Sequence, residues 1–487
     1  MIRSLVLAVV LAACGTDAGV APEATLPARV RLVTDAQYVN AVHDLFGDVT
    51  VPAIRSPGTQ PHQFIHDDNV LAVDAPLLVQ YRIAAEAIAR EVGARCTNRA
   101  CVDDFASRAF RRPLDASERD RLWKLYEANG FGLVVEAVLQ APSFVYRSEL
   151  GDRGALTPYE LSSELAFLFL DSIPDEPLWQ AARDGSIADP AVLVAHVDRL
   201  LELPRVRAHL TEVVLAWLDL HAIQTMYRLG LTPAMQASMF EQTKLFVNDV
   251  LWRRGGGLRE LLTSRDTFVD AQLAGLYGDI APTSWIMLPR TVAPERAGIL
   301  THPGVLSMLS LPYSESIIHR GLYVQRKFLC AEDLGRPPFA AIGATTAITR
   351  GFSEAQLAHF RSAHIYCAGC HRKIDPAGFA LHHYDALGQW RTLDGIGQPI
   401  EDDVRLPIDG TTRRLKGAAA LGQVLADSDQ VAHCVVDQLA HHALGRAVLD
   451  PATRGYLQRR FESSDRDLVE VFRAIATSPM FGSRESR

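Results

Sequence analysis

The chain has 487 residues, of which 48% are hydrophobic, 22% charged and 8% aromatic. That is too long for one ordinary core and too apolar to stay unfolded, so several packed domains are expected. With 49 Lys+Arg against 57 Asp+Glu the net charge is −8, which argues against a surface that tracks nucleic-acid phosphates, and the longest apolar run falls short of the roughly 18 residues of a membrane-spanning helix.

That run, Leu5–Ala13, follows Arg3 and ends in Leu11-Ala12-Ala13-Cys14. A basic n-region, a short apolar stretch and a cysteine after small residues form a lipobox, at which the Cys14 thiol would take a diacylglycerol after cleavage. A plain secretory signal with Cys14 incidental is the simpler alternative. The expectation is an exported bacterial lipoprotein of the outer membrane, on its periplasmic or cell-surface face, with residues 1–13 as signal and 14–27 as a small, polar tether.

Beyond the tether the periodicity is helical. Asp115-Ala116-Ser117-Glu118 caps a stretch containing Leu122, Leu125 and Tyr126, and Thr157-Pro158-Tyr159-Glu160 caps another with Leu161, Leu165, Leu168 and Phe169. Thr232-Pro233 opens a third, in which Met235 and Met239 read as core. Strand signals are confined to Trp285–Leu288 and parts of 396–415. Glycine-rich breaks such as Gly151–Gly154 and Gly255–Gly257 suggest helical modules over 28–95, 96–153, 154–290, 291–395 and 396–487. The fold class is mainly α, a multi-module helical protein with few short strands, and 336–350 reads as a loop over the segment that follows it.

The seven cysteines sort by role. Cys14 goes to lipid, and Cys367-Ala368-Gly369-Cys370-His371 is a C-x-x-C-H run. Cys96, Cys101, Cys330 and Cys434 remain, an even number in an oxidising compartment. The economical pairing is Cys96–Cys101 and Cys330–Cys434, although other connectivities stay open because spacing alone does not decide them. C-x-x-C-H places two thiols one helical turn apart, where they can add across the vinyl groups of one haem c, with His371 set to bind the iron as its proximal ligand. A structural zinc site would ask for a second ligand pair, and a thioredoxin-like role for a βαβ frame. Neither context is evident.

At these residues the chain resembles the planctomycete-type cytochrome c multi-module family of bacterial exported proteins. The resemblance runs over nearly all of 30–483. It is carried in order by Val33–Tyr38, Arg108–Leu114, Ala141–Arg147, Tyr159–Leu161, Phe268–Asp270, Arg296–Thr301, His319–Gly321, Cys367–His371, Ile374–Phe379, Tyr384–Arg391, Ala443–Arg446 and Ser478–Phe481. It implies one covalent haem and electron transfer.

The residue opposite His371 is left open by the sequence. Met308 and His319 are named as distal candidates, with His302, His382, His383 and Met480 behind them, while Arg391 and Trp390 are candidate contacts to a haem propionate and ring edge. Asp375-Pro376 reads as the turn out of the helix that carries His371. No Ser-His-Asp set, phosphate loop or paired glycosidase carboxylates stand out, so no catalytic residue is named. The reading is an envelope-anchored monohaem electron-transfer protein whose partners are a redox protein or small electron carrier and, through lipid, the membrane surface. A haem-dependent peroxidase or oxygenase, and a surface binding protein with structural haem, are the alternatives.

Overall fold

The caps read from the sequence close on real helices. Asp115 accepts from the backbone N–H of Glu118 and Thr157 from that of Glu160, and in both pairs the Glu side chain returns to the cap N–H. The computed structural model describes residues 25–56, 64, 73–278, 280–289, 293, 295–331, 334, 352–445 and 449–485. The expected signal peptide, Cys14, most of the tether and the 336–350 loop lie outside them.

In chain order the elements are β1 (Arg29–Leu32), α1 (Asp35–Phe46), α2 (Ala75–Val92), α3 (Arg99–Ala109), α4 (Ala116–Leu139), α5 (Pro142–Val145) and β2 (Tyr146–Glu149). Then come α6 (Pro158–Phe169), α7 (Glu176–Arg183), α8 (Pro190–Glu202), α9 (Pro204–Trp217), α10 (Pro233–Arg253), α11 (Leu258–Thr263), β3 (Thr267–Val269) and β4 (Ile286–Leu288). The last part holds α12 (Pro303–Met308), α13 (Ile317–Lys327), α14 (Glu354–Ala363), α15 (Ala368–Ala380), β5 (Asp403–Ile408) and β6 (Thr411–Lys416). It ends with α16 (Gly417–Asp427), α17 (Asp429–Leu444), α18 (Pro451–Ser463), α19 (Leu468–Ala476) and α20 (Pro479–Gly482). The protein is mainly α, and among the described residues the strands form three antiparallel pairs, β1–β2, β3–β4 and β5–β6. No helix of the described residues is long and apolar enough to cross a membrane.

Buried side chains gather into two cores. One is built from α1 to α5 around Tyr38, Tyr81, Phe131 and Phe144, and the other takes the remaining helices. Helix α6 feeds both, with Phe167 in the first and Leu165 in the second. Met239 is fully buried in the second core and Met235 packs against it, as their helical spacing suggested. The first and last described segments meet, since Leu26 donates to Ser483 and accepts from Glu485.

Two disulfides staple this frame. Cys96–Cys101 pins the connection between α2 and α3, and Cys330–Cys434 ties the end of α13 to α17 across 104 residues. In the chain-entropy account, closing a loop of that length stabilises by about 4–5 kcal/mol at most. Both pairings are those the cysteine spacing favoured.

Two buried arginines fasten the region before α15 to the loop after it. Arg296 stacks between Tyr277 and Tyr384 and donates to the carbonyls of Thr301, Leu276 and Gly388. Arg320 is fully buried and donates to the carbonyls of Leu381, Tyr384 and Asp385 and to the Ser310 hydroxyl. These bonds join Arg296 and Arg320 to the Tyr384–Gly388 stretch, three of the segments that carry the family resemblance.

Candidate functional site

Helices α14 and α15 form a hairpin that presents the C-x-x-C-H run at its bend. Ser353 and Gln356 make a capping box at the start of α14, and His364 closes its end. Ile365 and Tyr366 cross the gap, and Cys367 is the cap of α15, with its carbonyl accepting from the N–H of His371 at 3.0 Å. Antiparallel packing against α13 holds α15 in place. The approach is so close that a Cβ on Gly321 would stand 2.0 Å from the Ile374 carbonyl oxygen, and one on Gly378 would stand 2.0 Å from that of Ile317. Glycine at both crossing points is therefore a requirement of backbone contact.

Cys367 and Cys370 are half-buried and free, while the four other described cysteines are bridged. The Cys370 thiol donates to the Leu334 carbonyl at 2.6 Å, and the Cys367 sulfur stands 3.7 Å from His364 Nδ1. His371 Nδ1 lies 2.9 Å from Asp375 Oδ1, one turn on, and Arg361 of α14 donates from Nε to the other oxygen of Asp375 at 3.3 Å. A carboxylate only accepts, so Nδ1 carries the hydrogen, and in the neutral imidazole the lone pair then sits on Nε2. Among the described residues Nε2 makes no hydrogen bond. Burial raises the Glu354 carboxyl above its ordinary range, against the pull of Arg361 at 3.7 Å. Around the bend, Ile365 is 84% exposed and Tyr366 70%, an apolar rim beside the two thiols.

The reading of Asp375-Pro376 as a turn is corrected here. Helix α15 runs through Pro376 to Ala380, because Asp375 is engaged by His371 and Arg361 and the far half is clasped by α13 at Gly378. The pairing of His371 and Asp375 was missed, although an i,i+4 spacing within Cys-His-x-x-x-Asp signals it.

The other named residues sit elsewhere. Arg391 pairs with Glu315, whose carboxyl is held down to about 2 by His382 and Arg391 despite burial, which alone would raise it. Trp390 stacks on His383 at 4.2 Å, and His383 in turn faces Asp402 at 3.3 Å. This loop follows the C-terminal end of α15, which at 1.5 Å per residue is about 13 Å along the axis from His371. Met308 and His319 both neighbour Arg228, which donates to the Met308 carbonyl and lowers the His319 pKa together with burial. The glycine crossings set His319 level with Pro376, about 7–8 Å along the axis from the level of His371. His302 is buried between the Thr243 and Thr267 hydroxyls, with burial pressing its pKa to about 3. Met480 takes the Thr453 hydroxyl on its sulfur. Among the described residues no three His, Cys, Asp or Glu side chains gather as a metal-ion site.

Five family models match in succession. Each is described as a protein of unknown function: DUF1587 at residues 31–94, DUF1595 at 97–149, DUF1592 at 156–278, DUF1588 (PSCyt3) at 296–394 and DUF1585 at 411–481. No curated protein and no solved structure matches the chain. The PSCyt3 segment holds the Cys367–His371 hairpin together with the Arg296 and Arg320 anchors. With these five modules in this order along one helical chain, the protein belongs to the planctomycete-type cytochrome c multi-module family.

Proposed function

We propose that this protein is an envelope-anchored, monohaem cytochrome c-like electron-transfer protein. The observation that carries the reading is the hairpin bend, where two unbridged thiols one turn apart precede a histidine whose Nδ1 is engaged by Asp375 and whose Nε2 makes no hydrogen bond. These residues fit a covalently held haem. Cys367 and Cys370 would form the thioethers, His371 Nε2 would be the proximal ligand, and Ile365 and Tyr366 supply an apolar rim. A bound haem c supplies a one-electron Fe(III)/Fe(II) couple. Asp375 orients the ring of His371 and holds the hydrogen on its Nδ1, and Arg361 holds Asp375 in turn. The lack of a third converging protein ligand among the described residues favours this reading over a zinc site. Cys14 would carry the lipid and the tether the reach to a redox partner, a protein or small electron carrier.

The test is expression with a c-type haem maturation system, followed by the pyridine haemochrome spectrum and by reduced spectra with and without CO. A covalent haem signal, abolished in C367A/C370A, is the expected result. A reduced spectrum unmoved by CO supports electron transfer through a closed six-coordinate iron, whereas a ready CO shift overturns it in favour of oxygen or peroxide chemistry. Absence of covalent haem overturns the reading altogether.

A further inference from the structure

Far from the hairpin, a cavity of about 850 Å³ lies between the β1–β2 pair, α6 and α9. Its size is that of a pocket for a small organic molecule. Its lining includes Arg147 and Glu164, which are 6% and 5% exposed. Their closest approach is 3.7 Å, beyond hydrogen-bond reach, and Arg147 Nε and Glu164 Oε1 have no hydrogen-bond partner. Arg147 rests over the Phe167 ring at 5.0 Å.

At this end the buried Arg147 guanidinium has no hydrogen-bonded acceptor among the described residues. Neighbouring Glu149 is engaged by other arginines, since its Oε2 accepts from Arg29 at 3.0 Å and from Arg484 at 2.9 Å, with Arg31 at 3.5 Å from Oε1. Burial raises the Glu164 carboxyl toward its neutral form, so at 3.7 Å it offsets the Arg147 charge only in part. A buried cation short of acceptors is costly, and an anion placed beside it recovers that cost through charge-assisted hydrogen bonds. A neutral Glu164 would add an O–H donor to the same anion. The opposite end asks for no second charge, because Glu212 engages both Lys244 at 3.0 Å and His221 at 3.2 Å. Between the ends Phe167, Val213, Ala216 and Phe240 offer apolar wall.

We infer that this cavity binds an organic monocarboxylate with an apolar body, its carboxylate at Arg147 and its body along Phe167 and α9. The test is calorimetric titration of the full-chain protein with acetate, benzoate, octanoate and 4-phenylbutyrate, and with 4-phenylbutyramide as the neutral control. Octanoate or 4-phenylbutyrate is expected to bind with Kd below about 1 mM, and the amide at least tenfold more weakly. R147M should lose at least tenfold in affinity. A208F, which fills the cavity from a surface-exposed wall position without touching the buried charges, should lose binding while keeping the parent thermal transition. Failure of all four acids to bind, equal binding of acid and amide, or unchanged affinity in a folded A208F would each overturn the assignment.

Discussion

Arg320 and Arg147 are both almost fully buried, in different cores' borders, and they are used in opposite ways. Arg320 donates to three carbonyls and a hydroxyl of its own module, so its charge is spread over fixed backbone dipoles and its place is structural. The Arg147 guanidinium makes no hydrogen bond among the described residues and has one carboxyl at 3.7 Å, beside an open volume. Burial alone therefore does not tell a strut from a recognition group. What separates them is whether the terminal guanidinium nitrogens are already committed, since Nε lacks a partner in both.

That contrast can be broken by substitution. The largest effect is expected for Arg320→Met, which orphans three buried carbonyls and should cost about 3 kcal/mol or more, read as a large drop in the temperature of the cooperative transition. A drop no larger than that of a surface substitution would remove the distinction. Glu164→Gln sharpens it through pH. Burial raises the folded-state pKa of Glu164 to about 7 from an ordinary 4.5. The folded state therefore holds the extra proton in that window, and the stability contributed is complete below 4.5 and lost as pH rises to about 7. The glutamine variant has no proton to lose. Its stability should gain on the parent by an amount that grows from pH 4.5 to 7 and then levels, at about 3 kcal/mol at most, read as a rising difference in melting temperature. A pH-independent difference would show that Glu164 ionises normally. The smallest effect is expected for Arg147→Met, about 1 kcal/mol in the same melts at pH 6, since few bonds are lost and the thioether covers Phe167. A cost equal to that of Arg320→Met would place Arg147 among the struts.

Much of the fold was legible because its signals are local. A capping box needs only residues three apart, so the starts of α4 and α6 were visible in Asp115–Glu118 and Thr157–Glu160. The β5–β6 pair falls in the 396–415 stretch flagged for strands, running one residue beyond it. β1 and β2 were not seen, because four-residue strands whose partners lie over a hundred residues apart leave no periodic trace. At the hairpin the cysteines and His371 were plain from their spacing. The role of Asp375 was obscured by Pro376, a residue that locally reads as a stop and that here tertiary packing overrides.

By itself the sequence determined the helical class, the sorting of the described cysteines into bridged and free, and the C-x-x-C-H run, all of which depend on parity or on neighbours within one or two turns. Tertiary structure alone decided what the buried charges do. Whether Arg147 meets a carbonyl, a carboxylate or an empty volume depends on β1, α6 and α9 arriving from distant parts of the chain, and the low dielectric they create makes that difference matter.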